Sequence, residues 1–190
     1  MKAGNMPAVS FLKAPADQTG HPSTSSPLAE QQFLVDTINQ LQQSPEWKDM
    51  AIIITWDDSD GWYDHVMPPI VNQSNDPAND ALLGATGLCG SAAAGAYEDR
   101  CGYGPRLPFL VISPFARENF VGHSLADQTS ITRFIEDNWQ LGRIGNQSFD
   151  AVAGSILDMF NFQTDGMSAR ALGRILILDP DSGEPIGPMP

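Results

Sequence analysis

Basic side chains are scarce: 10 Lys plus Arg stand against 23 Asp plus Glu, a formal net charge of -13 with a pI near 4.3. Such a chain has no row of cations to set against phosphates, so nucleic acid and anionic membrane surfaces are poor partners. Long apolar runs are missing too. No window reaches the ~18 consecutive apolar residues of a spanning helix, so the chain is not expected to be integral to a membrane. Residues 1–6 carry no signal-peptide apolar stretch, an expectation that leaves the chain as written cytoplasmic, mature or truncated. No Gly-x-Ser-x-Gly elbow, Walker A loop or Gly-x-Gly-x-x-Gly fingerprint occurs, which removes support for a serine-hydrolase elbow, a P-loop NTPase and a dinucleotide enzyme. There are only two cysteines, Cys89 and Cys101, spaced neither as Cys-x-x-Cys nor with histidines at zinc spacing. A disulfide, two free thiols and a metal pair all stay open, and a disulfide would imply export.

What is present describes a globular α/β chain. With 190 residues, 42% hydrophobic and 17% charged, it is one domain or a large piece of one, outside the composition of disordered chains. Val9-Ser10-Phe11-Leu12 is expected to form a strand. Ser26-Pro27 supplies an N-cap and a first-turn proline, and Leu34, Ile38 and Leu41 with Phe33 form the stripe of a helix running to about Gln43. Residues 51–56 and 107–113 are apolar, β-branched runs expected to be strands buried on both faces. Between them, residues 59–106 have no convincing periodicity and form a long insertion. Asp127 or Thr129 can cap a helix in which Ile131, Phe134, Ile135 and Trp139 share a face up to Leu141-Gly142. A further helix is expected from about Phe149 to Phe160, and residues 163–190 form a tail with a strand-like scrap at residues 175–178 and a frayed end.

This element order predicts an α/β layered domain whose ligand sites lie beyond the carboxyl ends of the strands. Two strong and two weak strands fall short of the five or six of an average sheet, so the chain is expected to be the C-terminal part of something larger. The first strong strand runs into Asp57-Asp58-Ser59-Asp60-Gly61-Trp62-Tyr63-Asp64-His65. Neighbouring carboxylates at a strand tip repel one another and become favourable when a hard cation sits between their oxygens. The plainer alternative is one capping Asp with the others solvated. An EF-hand is excluded, because Gly61 as its sixth position puts Trp56 first and Met67 twelfth. Of the three histidines, His21 lies in a polar turn just ahead of a helix N-terminus, where anions are favoured. His65 and His123 read as structural.

These residues resemble a known family. His21-Pro22, the helix from Ser26, Ile52-Ile53-Ile54 running into Asp57-Asp58 and Tyr63-Asp64-His65-Val66, residues 100–108, and Asp127-Gln128-Thr129-Ser130-Ile131 look like the C-terminal portion of bacterial phospholipase C and acid phosphatase proteins. These form the phosphoesterase branch of the alkaline phosphatase superfamily. The resemblance covers residues 7–162. It implies a three-layer α/β/α sandwich, present here in part, and an exported enzyme, periplasmic or secreted at full length. It also implies hydrolysis of a phosphate monoester or phospholipid headgroup ester through a covalent phospho-Ser or phospho-Thr, beside a divalent metal ion of unstated identity. Asp57 and Asp58 match the acidic pair that holds the metal. His21 matches a histidine that contacts the phosphoryl oxygens or assists the leaving group.

The family's Glu-Asn metal ligands and its nucleophile belong to an N-terminal half with an Asn-Arg-Ser-Phe-Asp-like motif, and no such motif occurs in these 190 residues. A missing N-terminal half is therefore an expected partner, and the isolated chain is expected not to turn over phosphate esters. A non-catalytic binding domain stabilised by a structural cation is the alternative.

Overall fold

The computed structural model describes residues 5–59, 64–66, 68–69, 103–146, 148–162 and 175–187. Its elements make an α/β fold: a helix α1 over Pro27–Gln42, a strand β1 over Ile52–Thr55, a strand β2 over Phe109–Ile112 and a helix α2 over Thr129–Trp139. The two strands form one two-stranded sheet. Two compact units divide the chain, the first holding the residues up to Ile53, Val111–Asn119 and Phe160–Pro190, the second Ile54–Leu110 and Phe120–Met159. Cys89 and Cys101, whose state the sequence leaves open, and most of the 59–106 insertion lie outside the described residues.

In the first unit, α1 starts where the sequence expects. The Ser26 hydroxyl accepts the Ala29 N–H at 3.2 Å, and Pro27 takes a position whose N–H has no helical partner. Leu34, Ile38 and Leu41 are half-buried. The polar face is put to use as well. Asn39 donates its amide to the Leu178 carbonyl at 2.8 Å and accepts the Leu178 N–H at 3.2 Å. Gln42 does the same for Leu176, with both bonds at 2.9 Å. Gln31 reaches the carbonyls of Pro180 and Asp181 at 3.0 and 3.1 Å. Side chains roughly one helical turn apart thus read alternate residues of an extended segment. That segment turns back on itself through an antiparallel bridge between Leu178 and Pro185, its turn held by the Asp179 carboxylate on the N–H groups of Asp181 and Ser182. Over residues 175–187 the segment is not frayed, because the α1 amides supply the partners that a terminal segment usually lacks.

Trp47 and Phe160 are the buried apolar anchors of this unit. Phe160 stacks on Phe162 at 5.2 Å between ring centres, and the Ser113 hydroxyl ties the two post- and pre-strand turns together by donating to the Met50 carbonyl at 2.7 Å. The strand expected at Val9-Ser10-Phe11-Leu12 does not form. Phe11 and Leu12 are 80% and 67% exposed, and a strand needs a ladder partner that the described residues do not provide.

In the second unit, the Asp127 carboxylate accepts the Thr129 N–H at 2.6 Å, and the Ser130 hydroxyl, fully buried, accepts the Asp127 N–H at 3.1 Å. Of the two capping candidates it is Asp127 that binds the first turn. The helix stops at Gln140 in the left-handed conformation (φ 55°). The helix expected over 149–160 is replaced by two short 3-10 turns, Phe149–Ala151 and Leu157–Met159. Gly154 lies between them, where a β-carbon would collide with the Leu125 carbonyl oxygen, so only glycine fits this close backbone approach. Ala153 and Ile156 are buried between these turns. Neither β1 nor β2 is buried on both faces as the sequence suggested: every β1 residue is half-buried and Leu110 in β2 is 47% exposed, in keeping with a sheet that has two strands among the described residues.

Candidate functional site

Asp57 and Asp58 follow β1 directly, and both are exposed. Their backbone is gripped from α2's threshold. The Gln128 side-chain amide donates to the Trp56 carbonyl at 2.7 Å and to the Asp57 carbonyl at 2.9 Å. The pair offers hard oxygen donors of the kind that suit divalent cations, so it fits a metal in chemical type. Ions such as calcium take six to eight oxygens, and two carboxylates are a part of that shell. Among the described residues no group of three or more His, Cys, Asp or Glu side chains comes together to hold a metal.

The segment after the acidic pair is fastened by charge. Asp64 receives a two-pronged bond from Arg106, Nε to Oδ2 at 2.6 Å and Nη2 to Oδ1 at 2.7 Å, and also accepts the main-chain N–H groups of Arg106 and Val66. The Arg106 guanidinium, followed by the Val66 N–H, holds the Asp64 carboxyl well below the usual carboxylate range, against a smaller opposing effect of burial. Arg106 sits 42 positions further along, so this fork closes the base of the insertion. Three residues earlier, burial pushes the Tyr103 hydroxyl up, helped by the negative charge of Asp127 and a hydrogen bond to it. Asp127 therefore serves both α2 and the exit of the insertion.

His21 belongs to the first unit and the acidic pair to the second, so each has its own surroundings. His21 is exposed in a tight turn in which its carbonyl accepts the N–H groups of Thr24 and Ser25 at 2.9 and 3.0 Å. Its Nδ1 accepts the Ser23 N–H at 3.3 Å and pairs with the Ser23 hydroxyl at 3.0 Å. A main-chain N–H can only donate, so Nδ1 carries no proton in the neutral ring and Nε2 does. The turn thus fixes the tautomer that presents an N–H donor at Nε2. An open hollow of about 590 Å3, lined by Gly20 and residues 22–27, lies beside this turn at the start of α1. His65 and His123 are exposed, and Asp60 with residues 61–63 lies outside the described residues.

A family model described as the Phosphoesterase family matches residues 1–142. The chain belongs to that family. Among curated relatives, it is 31% identical over 166 residues to a non-hemolytic phospholipase C of Pseudomonas aeruginosa, covering 84% of this chain and 24% of that protein. It is 32% identical over 174 residues to a non-hemolytic phospholipase C of Burkholderia pseudomallei, covering 86% and 24%. A phospholipase C A of Mycobacterium tuberculosis is 27% identical over 177 residues, covering 90% and 32%. The chain spans about a quarter to a third of the length of these relatives. The resemblance drawn from His21, Asp57-Asp58 and the following motif therefore names the right family.

Sequence reasoning passed over Gln128, Tyr103 and the Asp64–Arg106 fork as parts of the site. Opposite charges at the two ends of the insertion were the available signal for the fork. An exposed glutamine carries none.

Proposed function

We propose that this chain is the C-terminal part of a metal-dependent phosphoesterase of phospholipase C or acid phosphatase type, exported at full length and built as a three-layer α/β/α sandwich. Asp57 and Asp58 hold a divalent cation, and His21 contacts the phosphate ester. The observation that carries this is an exposed carboxylate pair at the end of β1, held by its main chain, in a member of the phosphoesterase family. The relatives' names, phospholipase C, favour a phospholipid headgroup ester, with a soluble monoester as the other substrate of the same chemistry.

Phosphoryl transfer needs charge stabilisation at the equatorial oxygens, which the cation would supply when bound. The chain's own residues orient and donate. Asp57 and Asp58 place negative oxygens at the strand end. The Nε2–H of His21 donates to a phosphoryl oxygen; delivering a proton to the leaving group would take the imidazolium form, which carries a proton on Nδ1 as well and gives up the bond from the Ser23 N–H. The Asp64–Arg106 fork joins the two ends of the insertion, the segment that would select between headgroup and monoester. The attacking hydroxyl and the remaining ligands come from sequence with the Asn-Arg-Ser-Phe-Asp-like motif, outside these 190 residues.

The test is hydrolysis of p-nitrophenyl phosphate and p-nitrophenyl phosphorylcholine with calcium, magnesium, manganese or zinc. The isolated chain is expected to be inactive. The chain joined to an N-terminal portion carrying that motif is expected to be active, and Asp57→Asn to abolish the activity. Metal-dependent turnover that survives Asp57→Asn would sink the ligand assignment.

A further inference from the structure

We propose that Gln128 is a positioning residue for the acidic pair, an inference that rests on reading Asp57 and Asp58 as cation ligands. An amide NH2 has two hydrogens, and Gln128 spends its Nε2 on two consecutive main-chain oxygens, Trp56 at 2.7 Å and Asp57 at 2.9 Å. Those carbonyls belong to the peptide units on either side of the Asp57 α-carbon. Fixing both planes fixes φ and ψ of Asp57, and with them the direction in which its side chain leaves the backbone and the point from which Asp58 starts.

The donor is itself held from a rigid base. Asp127 binds the Thr129 N–H at 2.6 Å, and the Gln128 carbonyl accepts the Ile131 N–H at 3.2 Å, so the residue is locked into the first turn of α2. Gln128 is also exposed, so it contributes little to any core. An exposed side chain that bridges 71 and 72 positions of sequence to two adjacent carbonyls serves orientation more than burial.

The experiment titrates the 190-residue chain with terbium(III), a hard-oxygen probe whose emission is sensitised by a nearby tryptophan, here Trp56. Wild type, Gln128→Met, Thr129→Val and Asp57→Asn are compared, each with its circular dichroism and melting curve. Gln128→Met keeps side-chain length and removes the donor. It is expected to weaken terbium binding about tenfold, the scale at which partners behind a ligand usually act, with the helical signal intact. Thr129→Val removes the 2.5 Å hydroxyl bond to Asp127 but keeps the Thr129 N–H and Gln128 carbonyl bonds that hold Gln128 in the first turn, so it is expected to lower the melting temperature while leaving terbium affinity unchanged. Wild-type affinity in Gln128→Met overturns the proposal, as does equal weakening in Thr129→Val or loss of helical signal in Gln128→Met. A wild-type chain without saturable binding, or with binding that persists in Asp57→Asn, overturns the cation reading of the pair itself.

Discussion

Replacing Gln42 tests whether polar bonds from α1 hold the C-terminal segment. Gln42 is 5% exposed and makes two bonds of 2.9 Å to the main chain of Leu176. Each such bond contributes about 0.5–1.5 kcal/mol net. Leu176 is 46% exposed, so water replaces part of what is lost and the polar loss stays near the lower half, about 1–2 kcal/mol for the pair. Gln42→Met keeps the buried stem and isolates this part. Gln42→Ala also removes buried methylene surface, worth about 0.8 kcal/mol per group, and is expected to cost roughly 2–3 kcal/mol. At about 2–4 °C per kcal/mol for a chain of this size, the two variants should melt roughly 2–8 °C and 4–12 °C lower. Amide hydrogen exchange gives the local reading: Leu176 and Leu178 should lose protection in both variants, while the amides of α2 keep theirs. A Gln42→Met chain that melts like wild type with Leu176 still protected would refute the reasoning.

The remaining expectations concern the two turns that carry site residues. The folded-state acidity of Asp64 is increased by Arg106, so the fork's contribution is fully present above the unfolded carboxyl value near ~3.9 and is lost only as pH falls through the depressed folded value. The Val66 N–H resonance, bonded to Asp64 at 3.1 Å, should therefore show no step within the ordinary carboxylate range; a midpoint near ~4 would contradict the fork. Gly20→Ala should destabilise by about 1–2 kcal/mol, because Gly20 sits at φ +75° and a β-carbon would run into the Glu30 side chain. A thermal melt checks this, and an unchanged melting temperature would show that the turn relaxes around the methyl.

The parts of the fold legible in the sequence are those set by local chemistry. Ser26-Pro27 and the Leu34, Ile38, Leu41 spacing locate α1 to within a residue, because cap and stripe are properties of adjacent side chains. Ile52-Ile53-Ile54 and Phe109-Leu110-Val111-Ile112 become β1 and β2. Residues 9–12 have the same β-rich composition, yet composition supplies no partner, and they stay unpaired among the described residues. Between Phe149 and Phe160 the apolar spacing is helical, yet the chain forms two short 3-10 turns on either side of Gly154, which meets the Leu125 carbonyl, a partner that spacing within the segment does not register. The tail failed for the complementary reason. Hydropathy counts Asn39 and Gln42 as solvent-facing and is blind to an amide that pairs with the main chain 134 to 139 positions on.

The candidate site divides along the same line. Two carboxylates after an apolar strand are visible in sequence because charge density is local, whereas the bonds that aim them join distant segments. At this end of the second unit those bonds are polar: Gln128 to the strand tip, Asp127 to the first turn of α2, Arg106 to Asp64. The buried apolar side chains of that unit, among the described residues, are Ala153 and Ile156, between the turns that follow α2. Apolar burial is non-directional and would exclude the water that a charged ligand arrives in. Hydrogen bonds set an angle while leaving Asp57 and Asp58 exposed. The cation site proposed for this pair would need that combination, which would place the sensitivity of this end of the unit in single donors and acceptors instead of in packing volume.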